Sequence, residues 1–166
     1  MSKADLRIAA IGDVDEANSA IGIALLHIKD ERHAQMLRRI QNELFDLGAD
    51  LATPGEDFTP GEMTLRMTAA QADRLEREMD AMNEALEPLR SFILPGGGAG
   101  SAYLHLARAI ARRAERSAIA AAAEVPINPL ALVYLNRLSD HLFVLARLAA
   151  HGEGGDILWQ PGATRG

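Results

Sequence analysis

Ser91-Phe92-Ile93-Leu94-Pro95-Gly96-Gly97-Gly98-Ala99-Gly100 leads through Ser101-Ala102-Tyr103 into Leu104-His105-Leu106-Ala107-Arg108-Ala109-Ile110-Ala111-Arg112-Arg113-Ala114-Glu115-Arg116, and the periodicity of this last stretch decides the fold class. A helix advances 3.6 residues per turn, so Leu104, Ala107, Ile110, Ala111, Ala114 and Ala118 fall on one side as a stripe of small apolar residues. Such a stripe lets a neighbouring helix approach closely, as in a packed bundle. Arg108, Arg112 and Glu115, at i, i+4 and i+7, project from another side with Arg116 close by, while Arg113 stands apart from that line. Residues 105–117 hold four arginines and one glutamate, a local charge of +3, in a chain with 23 acidic and 17 basic residues and a formal charge of −6. The contrast fits an anionic ligand, because guanidinium forks match phosphate oxygens bidentately and keep their charge. A solvated face whose Arg and Glu pair along the helix accounts for the spacing equally well.

Working outward, Asp5 to about Ile28 places Leu6, Ile8, Ala9, Ile11, Val14, Ala17, Ile21 and Leu25 at helical intervals, despite Gly12 and Gly22. Asp30 is an N-cap for a second helix through Leu51, whose inward stripe is Met36, Leu37, Ile40, Leu44, Leu47 and Leu51, and Thr53-Pro54-Gly55 ends it. Residues 56–67, with Pro60 and Gly61 among polar neighbours, read as an irregular, mobile connection. Thr68 with Gln71 forms a capping box for a third helix to about Leu86, stopped by Pro88. Pro95 to Gly100 introduces the fourth helix, and Asn128-Pro129 opens a fifth that ends near Ala150. Residues 152–166 read as a coil tail with Trp159 as its only anchor. Five helices without a convincing strand predict an all-α bundle, a single domain over residues 1–166.

Composition removes several kinds of chemistry. Cysteine is absent, so disulfides, thiolate catalysis and Cys-based metal sites are excluded together. No apolar run approaches the ~18 residues of a membrane span, and the start has no apolar signal core; with the missing cysteines, this predicts a cytoplasmic protein. An acidic balance with four Phe, two Tyr and one Trp argues against a nucleic-acid surface. The one Asp30-x-x-His33 is better explained by capping, and His27, His33 and His151 fall at surfaces or helix ends. His105 and His141 can reach a site but form no ligand set, so no protein-ligated metal is expected. No nucleophile elbow is present, and the glycine run lacks the Lys-Ser/Thr ending of a P-loop. On the fifth helix, Asn136, Ser139, Asp140 and Phe143 interleave with leucines. They form either a functional edge or a solvated rim with a local Arg137–Asp140 pair. Asp15, Glu16 and Asn18 pose the same choice on the first helix.

Several of these segments, taken in register, resemble the PduO-type ATP:cob(I)alamin (corrinoid) adenosyltransferases. The matching stretches are Arg7-Ile8 with Gly12 to Gly22, Ile40 to Pro54, Phe92 to Gly97, Leu104 to Arg108, Arg112 to Arg116, and Tyr134 to Asp140. The resemblance implies a five-helix bundle assembled as a homotrimer, with ATP and the corrinoid meeting at subunit interfaces. It implies that cob(I)alamin attacks the 5′ carbon of ATP and expels triphosphate, so that the cofactor carries the chemistry and no protein nucleophile is needed. By the same match, Lys3, Arg112, Arg113, Glu115, Arg116 and Asn136 hold ATP, Arg108 pairs with Asp15 across the interface, and Phe92 presses on the lower corrin face. Mg²⁺ is expected to be held mainly by phosphate and water. The implied partners are a corrinoid reductase and an adenosylcobalamin-dependent mutase.

The chain departs from the family pattern at its start, where a Thr/Gly/Asp-rich phosphate segment usually precedes the Ser2-Lys3 match. Two expectations follow: Met1 is a misassigned start codon, or the chain is a corrinoid-binding and delivery module with impaired ATP use. Smaller departures are Asp13 in place of Thr, Ala17 in place of Leu, and His141 in place of an apolar residue.

Overall fold

All the helices but α4 begin where the sequence supplies a side-chain cap. In the computed structural model, which describes residues 2–166, the order is α1 (Leu6–Leu25), α2 (Glu31–Ala52), α3 (Ala69–Asn83), α4 (Ala99–Ala122) and α5 (Pro129–His151). The reading of Met1 as a misassigned start lies outside the described residues. Asp5, Asp30 and Asn128 accept from the backbone N–H groups of Arg7, Arg32 and Leu130 at 2.8, 2.9 and 3.1 Å, satisfying donors that a helix start leaves free. Gln71 closes the capping box by accepting from Thr68 N at 2.9 Å.

α1 and α3 each stop about a turn before the sequence predicts. After Leu25, the N–H groups of Leu26, His27 and Ile28 bond to carbonyls three residues back, and Ala85 and Leu86 do the same after Asn83. These tight turns end the helices without a proline or glycine at the boundary. The first turn lets the His27 backbone cross over the start of α4. A Cβ on buried Gly100 would lie 3.1 Å from the His27 carbonyl oxygen, so a side chain there would crowd the crossing.

α1 packs chiefly on α4 and on α2, while α5 packs on α4 and α3 and also touches α2, so the helices close into a bundle. At the centre, α1 buries Ala10, Ala17 and Ala24, and α4 buries Ala107, Ala111, Ala114, Ala118 and Ala121, all fully. Alanine at these positions permits a short interaxial distance with little side-chain entropy to lose. The predicted α4 stripe is the core face as expected, whereas Leu6 and Ala9 of α1 point outward. The only pairings outside helices among the described residues are isolated bridges, Gly61 with Thr64 and Ile93 with Leu158.

Two polar networks fix the remaining elements. The connection expected to be mobile is instead anchored at its end: Arg66 pairs with Asp50 at 2.7 Å, both buried, while Met67 N and Asn128 Nδ2 donate to the other Asp50 oxygen at 2.6 and 2.8 Å. One carboxylate thus joins the end of α2, the entry to α3 and the cap of α5. The second network surrounds Glu78, which accepts two bonds from Arg39, both 2.6 Å, and faces His141 Nε2 at 3.2 Å. Arg39 also reaches Glu43, which accepts from the buried Tyr134 hydroxyl at 2.6 Å. A histidine where the family resemblance has an apolar residue is therefore accommodated by a carboxylate on α3.

Burial alone would raise the Glu78 pKa, but the Arg39 and His141 hydrogen bonds outweigh it and hold the carboxyl down at about 2. A group with a depressed folded pKa contributes stability above its unfolded pKa, near 4.5, and loses it as pH falls toward about 2. Glu78→Gln is expected to cost about 1–3 kcal/mol at pH 7 and progressively less below pH 4.5. Urea unfolding of both proteins at pH 7 and pH 3 checks this, and a penalty unchanged between the two pH values would contradict it.

Candidate functional site

The arginine face of α4 is not a ladder of local ion pairs. Arg112 and Arg116 are exposed and form no salt bridge among the described residues, and half-buried Arg108 forms none either. Arg108 Nε is buried without a hydrogen-bond partner among the described residues. Burial, and then the neighbouring Arg112 charge, push the Arg108 pKa below its usual value, although a guanidinium stays protonated. Unpaired cations placed side by side on a helix repel, which favours an anion bridging them. Glu115, between them in sequence, is committed elsewhere: both its oxygens accept from Asn136 Nδ2, at 3.1 and 3.4 Å. Asn136 Oδ1 accepts from Arg137 at 2.7 Å, and Arg137 also pairs with Asp140 at 2.7 Å. The amide on α5 is thus held from both ends, and the edge of α5 contains the local Arg137–Asp140 pair as well as a fixed side chain facing α4.

Arg113 departs from this group. It bonds Glu16 and lies 3.4 Å from Asp13 on α1, and Asp13 also accepts from the Ser117 hydroxyl. Aspartate in place of threonine therefore has an internal cation to neutralise it, and within one chain Arg113 fastens α1 to α4.

Phe92 sits on the loop before α4 and is 76% exposed. The tail expected to be coil holds this loop through its main chain: Leu94 N donates to Ile157 O at 2.7 Å, Trp159 N to Phe92 O at 2.8 Å, and Ser91 Oγ to Trp159 O at 3.1 Å. The Trp159 ring lies 5.8 Å from that of Phe92. Trp159 is not the only anchor, because buried Arg147 of α5 bonds Asp156 at 2.9 Å and the Glu87 carbonyl at 2.8 Å. Gly97, at φ 97°, allows the close pass, since a Cβ there would meet the Gly155 carbonyl oxygen at 3.1 Å. Behind Phe92 lies a cavity of about 470 Å³ walled by Leu89, Ser91, Ile93, His105, Arg108 and Phe143.

Asp15 lies on another face. It lines a groove of about 480 Å³ between α1 and α2 with Ile8, Ile11, Val14, Asn18 and Phe45, where Phe45 is 72% exposed. Asp15 forms no salt bridge among the described residues. Asn18 Oδ1 is buried without a partner, while its amide nitrogen and Gln41 exchange bonds with each other's backbone carbonyl at 3.1 and 3.3 Å. Lys3 is exposed in the turn before α1. One chain therefore brings Arg108 and Phe92 to one cavity and Glu115 to Asn136, but leaves Asp15 apart from Arg108. The tail strap and the orphaned Asn18 oxygen have no spacing signature. Only the lone Trp159 in a polar tail hinted at the strap.

The sequence profile of a family described as cobalamin adenosyltransferase matches residues 1–149. A corrinoid adenosyltransferase of Mycobacterium leprae is 51% identical over 167 residues, covering 98% of this chain and 86% of that protein. The corrinoid adenosyltransferase MMAB of Mus musculus is 41% identical over 157 residues, covering 92% of this chain and 65% of that protein. Among solved structures, a variant PduO-type ATP:corrinoid adenosyltransferase from Lactobacillus reuteri complexed with cobalamin and ATP superposes with a TM-score of 0.88. It is 36% identical, and the match covers 96% of this chain and 89% of that one.

Proposed function

The chain belongs to the cobalamin adenosyltransferase family, and from that premise we infer how it transfers the 5′-deoxyadenosyl group of ATP to cobalamin. The cobalt of the reduced corrinoid supplies the electron pair; a cobalt–carbon bond forms at C5′ as the bond from C5′ to the triphosphate oxygen breaks. The observation that carries the residue assignment is the row of unpaired guanidinium groups on α4 beside the Phe92 cavity. Arg112 and Arg116 bind the triphosphate and take up charge on the leaving oxygen, where preorganised cations act most strongly. Asn136, held by Glu115 and Arg137, orients the nucleotide without having to be ordered by it. Lys3 adds a further phosphate contact, and Arg113 does so only by leaving Glu16 and Asp13. Phe92 meets the lower corrin face, kept in place by the tail.

Mg²⁺ fits this arrangement as a phosphate-bound ion. No group of three or more His, Asp or Glu side chains converges among the described residues, so the ion takes its oxygens chiefly from the triphosphate and water. We place the enzyme in the cytoplasm; no helix among the described residues is long and apolar enough to cross a membrane. A corrinoid reductase and an adenosylcobalamin-dependent mutase would act before and after it.

The active unit is a homotrimer in which Asp15 of one copy pairs with Arg108 of the next. Three features support this: an apolar groove with an exposed Phe45, an unpaired Asp15 beside it, and an Arg108 Nε buried with no partner. Asp15→Arg and Arg108→Asp singly are each expected to lower adenosylcobalamin formation from cob(I)alamin and ATP by about 10–100-fold. The double exchange should recover much of the loss. A double variant no better than the worse single one would count against the pairing, and a wild-type protein that forms no adenosylcobalamin would count against the function.

A further inference from the structure

α4 buries one polar side chain that bonds nothing. Its other buried residues are glycine, alanine, leucine, isoleucine and Ser101, whose hydroxyl donates to the Gly96 carbonyl at 2.9 Å. His105 is 2% exposed, and neither Nδ1 nor Nε2 has a hydrogen-bond partner among the described residues. Its ring meets that of Phe143 edge-on, with centroids 6.0 Å apart. Burial, and then the nearby Arg108, push its pKa down. The ring is therefore uncharged at neutral pH, with one N–H to donate and one bare nitrogen to accept. Leaving such groups unpaired inside a protein costs roughly 1–3 kcal/mol each, and leucine would fill the space without that penalty.

The location limits what can satisfy the ring. His105 forms part of the wall of the cavity behind Phe92, whose other walls are apolar apart from Ser91 and Arg108. Phe92 is the most exposed member of that wall, so a flat ligand settling against it lies over the cavity that His105 lines. A triphosphate only accepts hydrogen bonds and is better served by the arginines on α4. A corrinoid is an apolar plane edged with primary carboxamides, and a carboxamide both donates and accepts, so it matches either imidazole nitrogen in either tautomer.

We propose that His105 is a corrinoid-binding residue whose imidazole hydrogen-bonds a peripheral carboxamide of the macrocycle and so sets the ring's position over Phe92. This rests on the adenosyltransferase reading above and adds a determinant on the corrinoid side of the site.

The test needs no turnover, because Trp159 is the chain's one tryptophan and lies 5.8 Å from Phe92. Quenching of its fluorescence by cob(II)alamin, in the presence of ATP and Mg²⁺, reports corrinoid binding. His105→Leu is expected to weaken that binding about tenfold, the worth of a buried hydrogen bond. The KM for ATP should stay within about twofold, and Tm should not fall, because an unpaired polar group has been removed. His105→Gln should regain most of the affinity. Leucine and wild-type proteins of equal corrinoid affinity would overturn the assignment, as would a leucine variant whose ATP and corrinoid parameters worsen together with its Tm. Wild-type protein that neither quenches nor turns over would overturn the functional reading as well, whereas a change confined to the variants speaks to His105 alone.

Discussion

Arg112→Ala is expected to lower kcat/KM for ATP by about 100-fold or more while leaving Tm within a degree or two of wild type. The two halves of this expectation have separate structural grounds. Arg112 is exposed and has no salt bridge among the described residues, so its removal breaks nothing that holds the fold. It also lies one turn from Arg108 and one from Arg116, where a bound triphosphate would collect charge from the whole row. Lysine at this position keeps the charge but loses the planar fork, so Arg112→Lys should fall between wild type and alanine. Steady-state kinetics in ATP, with thermal melts of the same preparations, check both halves. A large fall in Tm would show that Arg112 is structural.

The opposite profile is expected for Asp50→Ala, a loss of stability with no direct effect on chemistry. Asp50 is 1% exposed and its carboxylate neutralises buried Arg66 while accepting from Met67 N and Asn128 Nδ2. Truncating it strands a buried cation, which costs about 3–5 kcal/mol, or roughly 6–20 °C in Tm for a domain of this size. Asp50→Asn keeps acceptor capacity but not the charge and should cost less. Denaturant unfolding at fixed protein concentration measures both, and a loss below about 1 kcal/mol would mean that Arg66 finds another partner. The consequence reaches the site, because Asn128 caps α5, the helix that carries Asn136.

The helical frame was legible because its signals are local. Asp30, Thr68 with Gln71, and Asn128-Pro129 are side-chain caps that satisfy their own helix starts, and the alanine stripe of α4 shows its periodicity in consecutive residues. What escaped was carried by the main chain or by distance. The strap from the tail to the Phe92 loop uses the tail's main chain, including two backbone–backbone hydrogen bonds that any sequence could make. Asp50 with Arg66 and Glu78 with Arg39 join residues far apart along the chain, each of which resembles a surface charge when read alone. The site shows the same division. The arginine row could be read from spacing, but not that its members would lack partners while Arg113 acquired two from α1. Helix periodicity placed Asp15 and Arg108 on separate elements. It could not say that one chain leaves each without the other.

The proposed function requires the arginine face of α4 to bind the triphosphate of ATP as a leaving group for a corrinoid held at Phe92. The direct measurement is product stoichiometry: cobalamin reduced to cob(I)alamin under anaerobic conditions, ATP and Mg²⁺ added, and the corrinoid spectrum followed while phosphate products are separated. The predicted result is one adenosylcobalamin formed for each triphosphate, or for each set of fragments derived from it, with both products lost together in Arg112→Ala. ATP consumed to ADP without a cobalt–carbon bond, or adenosylcobalamin formed as fast by Arg112→Ala as by wild type, would contradict it.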